Sequence, residues 1–140
     1  MIKSKAVAGV AALRPRPLSP YMTWRWHLTM LGSILHRATG FALYVGAILL
    51  AGWAAALAAG PTAYGQYMTL LGGVPGKIVL FGFTLAVFFH LGNGIRHLVW
   101  DSGLGFAPRT ATATGAAVIG FAIVATLAVW GLAIVTGGFQ

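Results

Sequence analysis

The sequence predicts an all-α membrane protein with three transmembrane helices, and three observations carry this prediction. Apolar residues make up 59% of the 140 residues and charged residues only 7%, whereas about a quarter of the residues in soluble domains are charged. The mean hydropathy is +0.86. Three long apolar stretches fill most of the chain, each long enough at about 1.5 Å per residue to cross an apolar core of about 30 Å.

The N-terminal segment, residues 1–32, is predicted to be a retained basic leader followed by an interfacial stretch. Five of the nine Lys and Arg residues lie in this segment. The prolines between Arg14 and Pro20 exclude a helix there. Trp24 and Trp26 follow, and such amphipathic aromatic side chains suit the headgroup level of a bilayer. We therefore expect the chain to enter the membrane near residue 33.

Residues 33–137 are predicted to form one transmembrane domain with no room for a separate soluble catalytic domain. Glycine, proline and polar residues mark the ends of the apolar stretches and a connection over 61–76. The three predicted spans are about 33–59, 77–101 and 112–136.

The distribution of positive charge predicts the orientation. Cations cluster before the first span and Arg109 lies in the second loop, while the first connection carries only Lys77. By the positive-inside rule, the N-terminus and the second loop are on the cytoplasmic or matrix side. The positive charge therefore sets the orientation of the chain in the membrane. We predict that these cations have membrane lipid as a partner and no nucleic acid.

The residue types that are missing restrict the chemistry. The chain has no cysteine, which excludes a thiolate-ligated iron–sulfur cluster within it. It has no glycine-rich nucleotide-binding motif after a strand, so flavin or nicotinamide chemistry would have to reside on a partner. Iron, if bound, would be held by histidine.

The candidate functional stretch is the second span, which holds two histidines, an arginine, an asparagine and the only acidic residue of the chain. His90, Gly94, His97 and Asp101 fall at i, i+4, i+7 and i+11, so they share one helical face. Ionisable residues in a membrane span are costly and mark functional sites.

Antiparallel pairing of the first two spans predicts a cationic layer near the cytoplasmic surface. Arg37 lies about 6 Å past the start of the first span, and Arg96 about 7.5 Å before the end of the second. His36 and His97 match in the same way. These four side chains are therefore expected at similar depth.

His90 lies about 16 Å from the end of its span, near the midplane. A neutral imidazole there, with Gly94 leaving room for a flat macrocycle, predicts an axial ligand of a b-type haem. The haem propionates would reach the layer of His36, Arg37, Arg96 and His97. His97 lies about 10.5 Å from His90 along the same helix, so a second axial histidine would come from another polypeptide.

Two readings without a cofactor remain open at this point. His90, Asn93, Arg96 and His97 could form a proton or ion pathway. The chain could also be a haem-free assembly scaffold.

Three sequence motifs resemble one known family. They are Arg14-Pro15-Arg16-Pro17-Leu18-Ser19-Pro20, Ser33-Ile34-Leu35-His36-Arg37-Ala38-Thr39-Gly40, and His90 through Gly94-Ile95-Arg96-His97 to Asp101. Over about residues 16–135 the chain resembles the cytochrome b membrane-anchor subunit of succinate dehydrogenase, respiratory complex II. Tyr21 departs from the histidine that many relatives carry there.

The resemblance implies half of a heterodimeric haem-binding helical anchor. A second three-span subunit would supply the other haem ligand, and iron–sulfur and flavoprotein subunits would dock on the cytoplasmic or matrix face. Electrons from succinate would then reduce ubiquinone, and the chain itself would hold no dehydrogenase active site. The implied location is a bacterial cytoplasmic membrane or a mitochondrial inner membrane. The anchor of a fumarate reductase is the alternative within the family.

The resemblance also assigns residues. His90 is implied to be the axial ligand of haem b, and Ser33 and Arg37 match the serine and arginine of the quinone site. His36, Arg37 and His97 match positions near the haem propionates.

Overall fold

The protein is described by a computed structural model for residues 26–138. The predicted basic leader, up to residue 25, lies outside the described residues. The described residues fold into four helices: α1 (Leu28–Ala59), α2 (Pro61–Gly72), α3 (Val74–Asp101) and α4 (Pro108–Val135). Three of them, α1, α3 and α4, are long and apolar enough to cross a membrane, which confirms the predicted all-α fold with three spans.

Each long helix begins earlier in the sequence than the predicted span. Both α3 and α4 carry a proline in the first turn, Pro75 and Pro108. Proline suits this position because its φ is already helical and the N–H that it lacks would have no partner inside the helix. The residues just before the predicted starts of the second and third spans therefore join the helix instead of the loop.

The connection predicted over residues 61–76 contains a helix, α2. Gly60 makes the sharp turn from α1 with a φ of +106°, a conformation that glycine adopts without steric cost. The hydroxyl of Tyr67 donates a hydrogen bond of 2.6 Å to the carbonyl oxygen of Leu49. A Cβ at Gly52 would lie 3.3 Å from the Tyr67 ring, so α2 folds back closely against the end of α1.

The three long helices pack through small residues. Ala86 of α3 and Ala122 of α4 are buried, and the ring of Phe83 on α3 lies directly over Gly46 of α1, in the space that a Cβ would occupy. Small residues let helix backbones approach closely. In lipid the hydrophobic effect does not drive helices together, so they associate through such close packing.

A buried arginine fastens α3 to the beginning of α4. The side chain of Arg96 is only 6% exposed. Its Nε donates to Thr114 Oγ1 at 3.0 Å and its Nη2 to the carbonyl oxygen of Ala111 at 2.7 Å. The guanidinium carbon also lies 3.9 Å from the centroid of the Trp100 ring, within the range of a cation–π contact.

We expect Gly46→Ala to destabilise the bundle by about 1–3 kcal/mol, because the new methyl group overpacks against Phe83. The matched control is Gly82→Ala on α3, where an added Cβ would meet nothing within 4 Å. Thermal unfolding of the detergent-purified protein measures both. Equal stability of the two variants would contradict the close approach of α1 and α3.

We expect Arg96→Lys to lower stability by about 1–3 kcal/mol, because an ammonium group cannot reproduce the fork that serves Thr114 and Ala111 together. Arg109→Lys is the control, since Arg109 is exposed at the start of α4 and should tolerate the change. Protease sensitivity of the loop between α3 and α4 reports the loosening. A variant as resistant as wild type would show that Arg96 does not fasten α4.

Candidate functional site between α1 and α3

Three histidines from two helices meet inside the bundle. His36 of α1 stacks on His90 of α3, with ring centroids 4.0 Å apart and planes 14° from parallel. The His36 ring also lies 5.0 Å from that of His97, at 47°. His36 therefore lies between two histidines that are two turns apart on α3. We call these three side chains the histidine cluster.

The residues of α1 that follow His36 accommodate the ring of His90. At Gly40 an added Cβ would lie 3.2 Å from His90 Cε1, so glycine permits the ring to approach the α1 backbone. Thr39 Oγ1 lies 3.3 Å from His90 Nδ1. Sequence reasoning assigned no role to Thr39, although a hydroxyl three residues after His36 in an apolar helix was a usable signal.

The histidine cluster has the features expected of a ligand site. Nδ1 of His36 is buried and has no hydrogen-bond partner among the described residues, and a buried polar atom of this kind needs a partner. An added Cβ at Gly94 would meet nothing within 4 Å, so space is open beside the α3 backbone. Imidazole nitrogens are suitable ligands for iron. These residues fit a haem with His90 as ligand.

The orientation of His97 follows from Asn93 and Arg96. Arg96 Nη1 donates to Asn93 Oδ1 at 3.3 Å, and Asn93 Nδ2 lies 3.3 Å from His97 Nε2. Arginine has no acceptor, so the amide must turn its oxygen to Arg96 and its NH₂ group to His97. His97 then accepts through Nε2 and carries its proton on Nδ1. Asn93 is 1% exposed, and a fully buried amide in a membrane helix marks it as part of this network.

Arg96 makes no direct hydrogen bond to the histidine cluster and is linked to it through Asn93. All three of its guanidinium nitrogens donate within the chain, to Asn93, Thr114 and Ala111. Its side chain is directed to α4. A contact between Arg96 and a haem propionate stays a prediction.

Ser33 and Arg37 lie one turn apart on the face of α1 next to the histidine cluster. Both are exposed, and neither makes a hydrogen bond to any residue in the range 26–138. Phe41, Tyr44 and Ile48 continue the same exposed face, at 71%, 70% and 59% exposure. The arrangement is a polar pair at the end of an apolar stripe, open to a ligand or another subunit.

Comparison with known proteins identifies the family. Residues 12–129 match the model of the succinate dehydrogenase/fumarate reductase transmembrane subunit. The chain is similar to the succinate dehydrogenase cytochrome b556 subunits of Rickettsia felis and Paracoccus denitrificans. The first is 36% identical over 82% of this chain and 90% of the relative, and the second is 35% identical over 78% and 85%.

A mitochondrial protein is similar as well. The succinate dehydrogenase cytochrome b560 subunit of Sus scrofa is 39% identical over 74% of this chain and 63% of the relative. The family match, over residues 12–129, covers α1, α3, most of α4 and the histidine cluster. The chain belongs to the family of succinate dehydrogenase/fumarate reductase transmembrane subunits.

Proposed function

We propose that the chain is the cytochrome b membrane anchor of a succinate dehydrogenase, which shares a haem b with a second three-span subunit and helps to form the site of ubiquinone reduction. The observation that carries this proposal is the histidine cluster inside an apolar three-span bundle. Family membership supports it, because the bacterial relatives are named as cytochrome b556 subunits of succinate dehydrogenase. The same names favour succinate oxidation over fumarate reduction.

His90 is the residue of this chain that would hold the haem iron, and bound haem would supply a one-electron carrier within the membrane. His97 is two turns away from His90 on the same helix, so a second histidine that holds the iron would come from the partner anchor subunit. His36 and His97 would donate hydrogen bonds to the propionates. For His36 the support is its unpartnered Nδ1, and for His97 it is the Nδ1 proton that Asn93 leaves in place.

Ser33 and Arg37 would bind the quinone headgroup. Reduction adds two electrons and two protons to the quinone, and negative charge builds on its ring oxygens before the protons arrive. A hydroxyl at Ser33 donates a hydrogen bond to one carbonyl oxygen, and the cation of Arg37 stabilises the developing charge. The apolar stripe of Phe41, Tyr44 and Ile48 gives an apolar isoprenoid tail a surface to lie along.

The remaining partners would supply the flavin and iron–sulfur chemistry for which this chain has no motif. Iron–sulfur and flavoprotein subunits would oxidise succinate and dock on the side that carries the N-terminus and the loop between α3 and α4. The basic N-terminal segment and Arg109 support a cytoplasmic location for that side in a bacterial membrane by the positive-inside rule. The C-terminus would then lie on the opposite side of the membrane.

We expect His90→Ala to abolish most of the b-type haem of the purified complex, because the variant removes the only iron ligand proposed for this chain. A reduced-minus-oxidised optical spectrum measures the haem, and a gel of the subunits confirms assembly. His27→Ala is the control, since His27 precedes α1 and lies outside the histidine cluster. An assembled His90→Ala complex with a full haem content would overturn the assignment.

We expect Ser33→Ala and Arg37→Leu each to lower the kcat/KM for ubiquinone by about tenfold or more, because each variant removes an interaction that grows as charge develops on the quinone. Succinate oxidation by an artificial dye that accepts electrons from the soluble subunits should be retained. Ser102→Ala, in the loop after α3, is the control. Equal loss of dye and quinone activity would point to assembly instead of quinone binding.

A further inference from the structure

We propose that Thr39 is a positioning residue, which accepts a hydrogen bond from Nδ1 of His90 and so fixes the tautomer whose Nε2 lone pair faces the haem iron. The inference rests on the proposed function, because it takes His90 as the axial ligand. It concerns a hydroxyl that the sequence analysis left without a role.

The hydrogen bonds of Thr39 decide the direction of its contact with His90. Its hydroxyl lies 2.8 Å from the carbonyl oxygen of Leu35 and 3.1 Å from that of His36. Carbonyl oxygens only accept, and a threonine hydroxyl has one proton. The shorter contact with Leu35 favours a proton directed to the α1 backbone, which leaves a lone pair of the oxygen for His90 Nδ1 at 3.3 Å. Nδ1 must then carry the proton of the neutral ring.

The surroundings of the ring hold it in this position. His36 stacks on one face of His90, almost parallel and 4.0 Å away. The ring edge at Cε1 faces Gly40, where a side chain would crowd it. A half-turn about the Cβ–Cγ bond would keep the stack but would put Cδ2 in the place of Nδ1 next to Thr39, so the contact with Thr39 selects the ring orientation. Within residues 26–138, Thr39 is the side chain that satisfies Nδ1.

The chemical consequence concerns the other ring nitrogen. A histidine that binds a metal through one nitrogen donates the N–H of the other to an acceptor, which fixes the tautomer and makes the ligand more basic. Loss of such an acceptor typically weakens metal binding by about 10- to 100-fold. Compared with the wild-type ligand, a less basic histidine loses more of its stabilisation of ferric iron than of ferrous iron. The reduction potential of the haem should therefore rise.

The test uses the whole complex, purified with its partner subunits, and compares Thr39→Val with wild type. Valine keeps the branched shape but has no acceptor. We expect a higher midpoint potential in redox titration, an altered EPR signal of the ferric haem, and about tenfold or greater weakening of haem retention. Thr39→Ser restores the acceptor and should return the potential and the spectrum to wild-type values.

A matched control separates this effect from the general cost of replacing a threonine in a membrane helix. Thr126 of α4 is 1% exposed and bonds to the carbonyl oxygen of Ala122 at 2.7 Å, as Thr39 does to Leu35, but it lies outside the histidine cluster. Thr126→Val should change neither the potential nor the EPR signal. An equal change in both valine variants would overturn the inference.

His90→Ala in the same set separates the positioning role of Thr39 from the ligand role of His90. If His90→Ala loses the haem while Thr39→Val keeps a wild-type potential and spectrum, the positioning role of Thr39 is wrong and the haem ligand stands. If the assembled His90→Ala complex keeps its haem, the proposed function of the site fails first, and the role of Thr39 fails with it.

Discussion

The structure depends on a guanidinium that is satisfied inside the membrane domain. A charged side chain in an apolar medium is costly unless its donors have partners. Arg96 reaches the Thr114 hydroxyl, the Ala111 carbonyl oxygen and the Asn93 amide, and its face lies against Trp100. These acceptors come from both α3 and α4. The requirement to satisfy one cation thus fixes how the two helices are rotated about their axes.

The same guanidinium acts on the histidine side of α3 through Asn93. Because Arg96 can only donate, the Asn93 oxygen is directed to the guanidinium, and the amide NH₂ group then faces His97. The network extends in this way from the start of α4 to the histidine cluster. A rotation of α3 that broke the contacts of Arg96 would also displace His97 and His90. The packing of α3 against α4 is therefore coupled to the positions of His90 and His97 beside α1.

The contact of α1 with α3 relies on small residues instead of charge. Gly46 receives the ring of Phe83, and Gly40 receives that of His90. Between them these glycines bring the helices close enough for His36 to stack on His90 and for Thr39 to reach its ring. The neighbouring face of α1, with Ser33 and Arg37, stays exposed. One helix thus carries His36 of the histidine cluster on one face and the exposed pair of Ser33 and Arg37 on the next.

The sequence by itself determined the fold class and the number of spans, and it predicted their approximate ends and the depth of each polar residue. These properties depend only on hydropathy and on the rise of a helix, so the sequence could predict that His90 is the deep histidine. Rotation about each helix axis was decided only by the tertiary structure. The long helices are apolar on all sides, with little of each buried within the chain, and such helices lack the polar and apolar faces that reveal orientation. Depth alone could not direct Arg96 to α4, place His36 between two histidines or bring Thr39 to His90, because these outcomes require side-chain packing between helices.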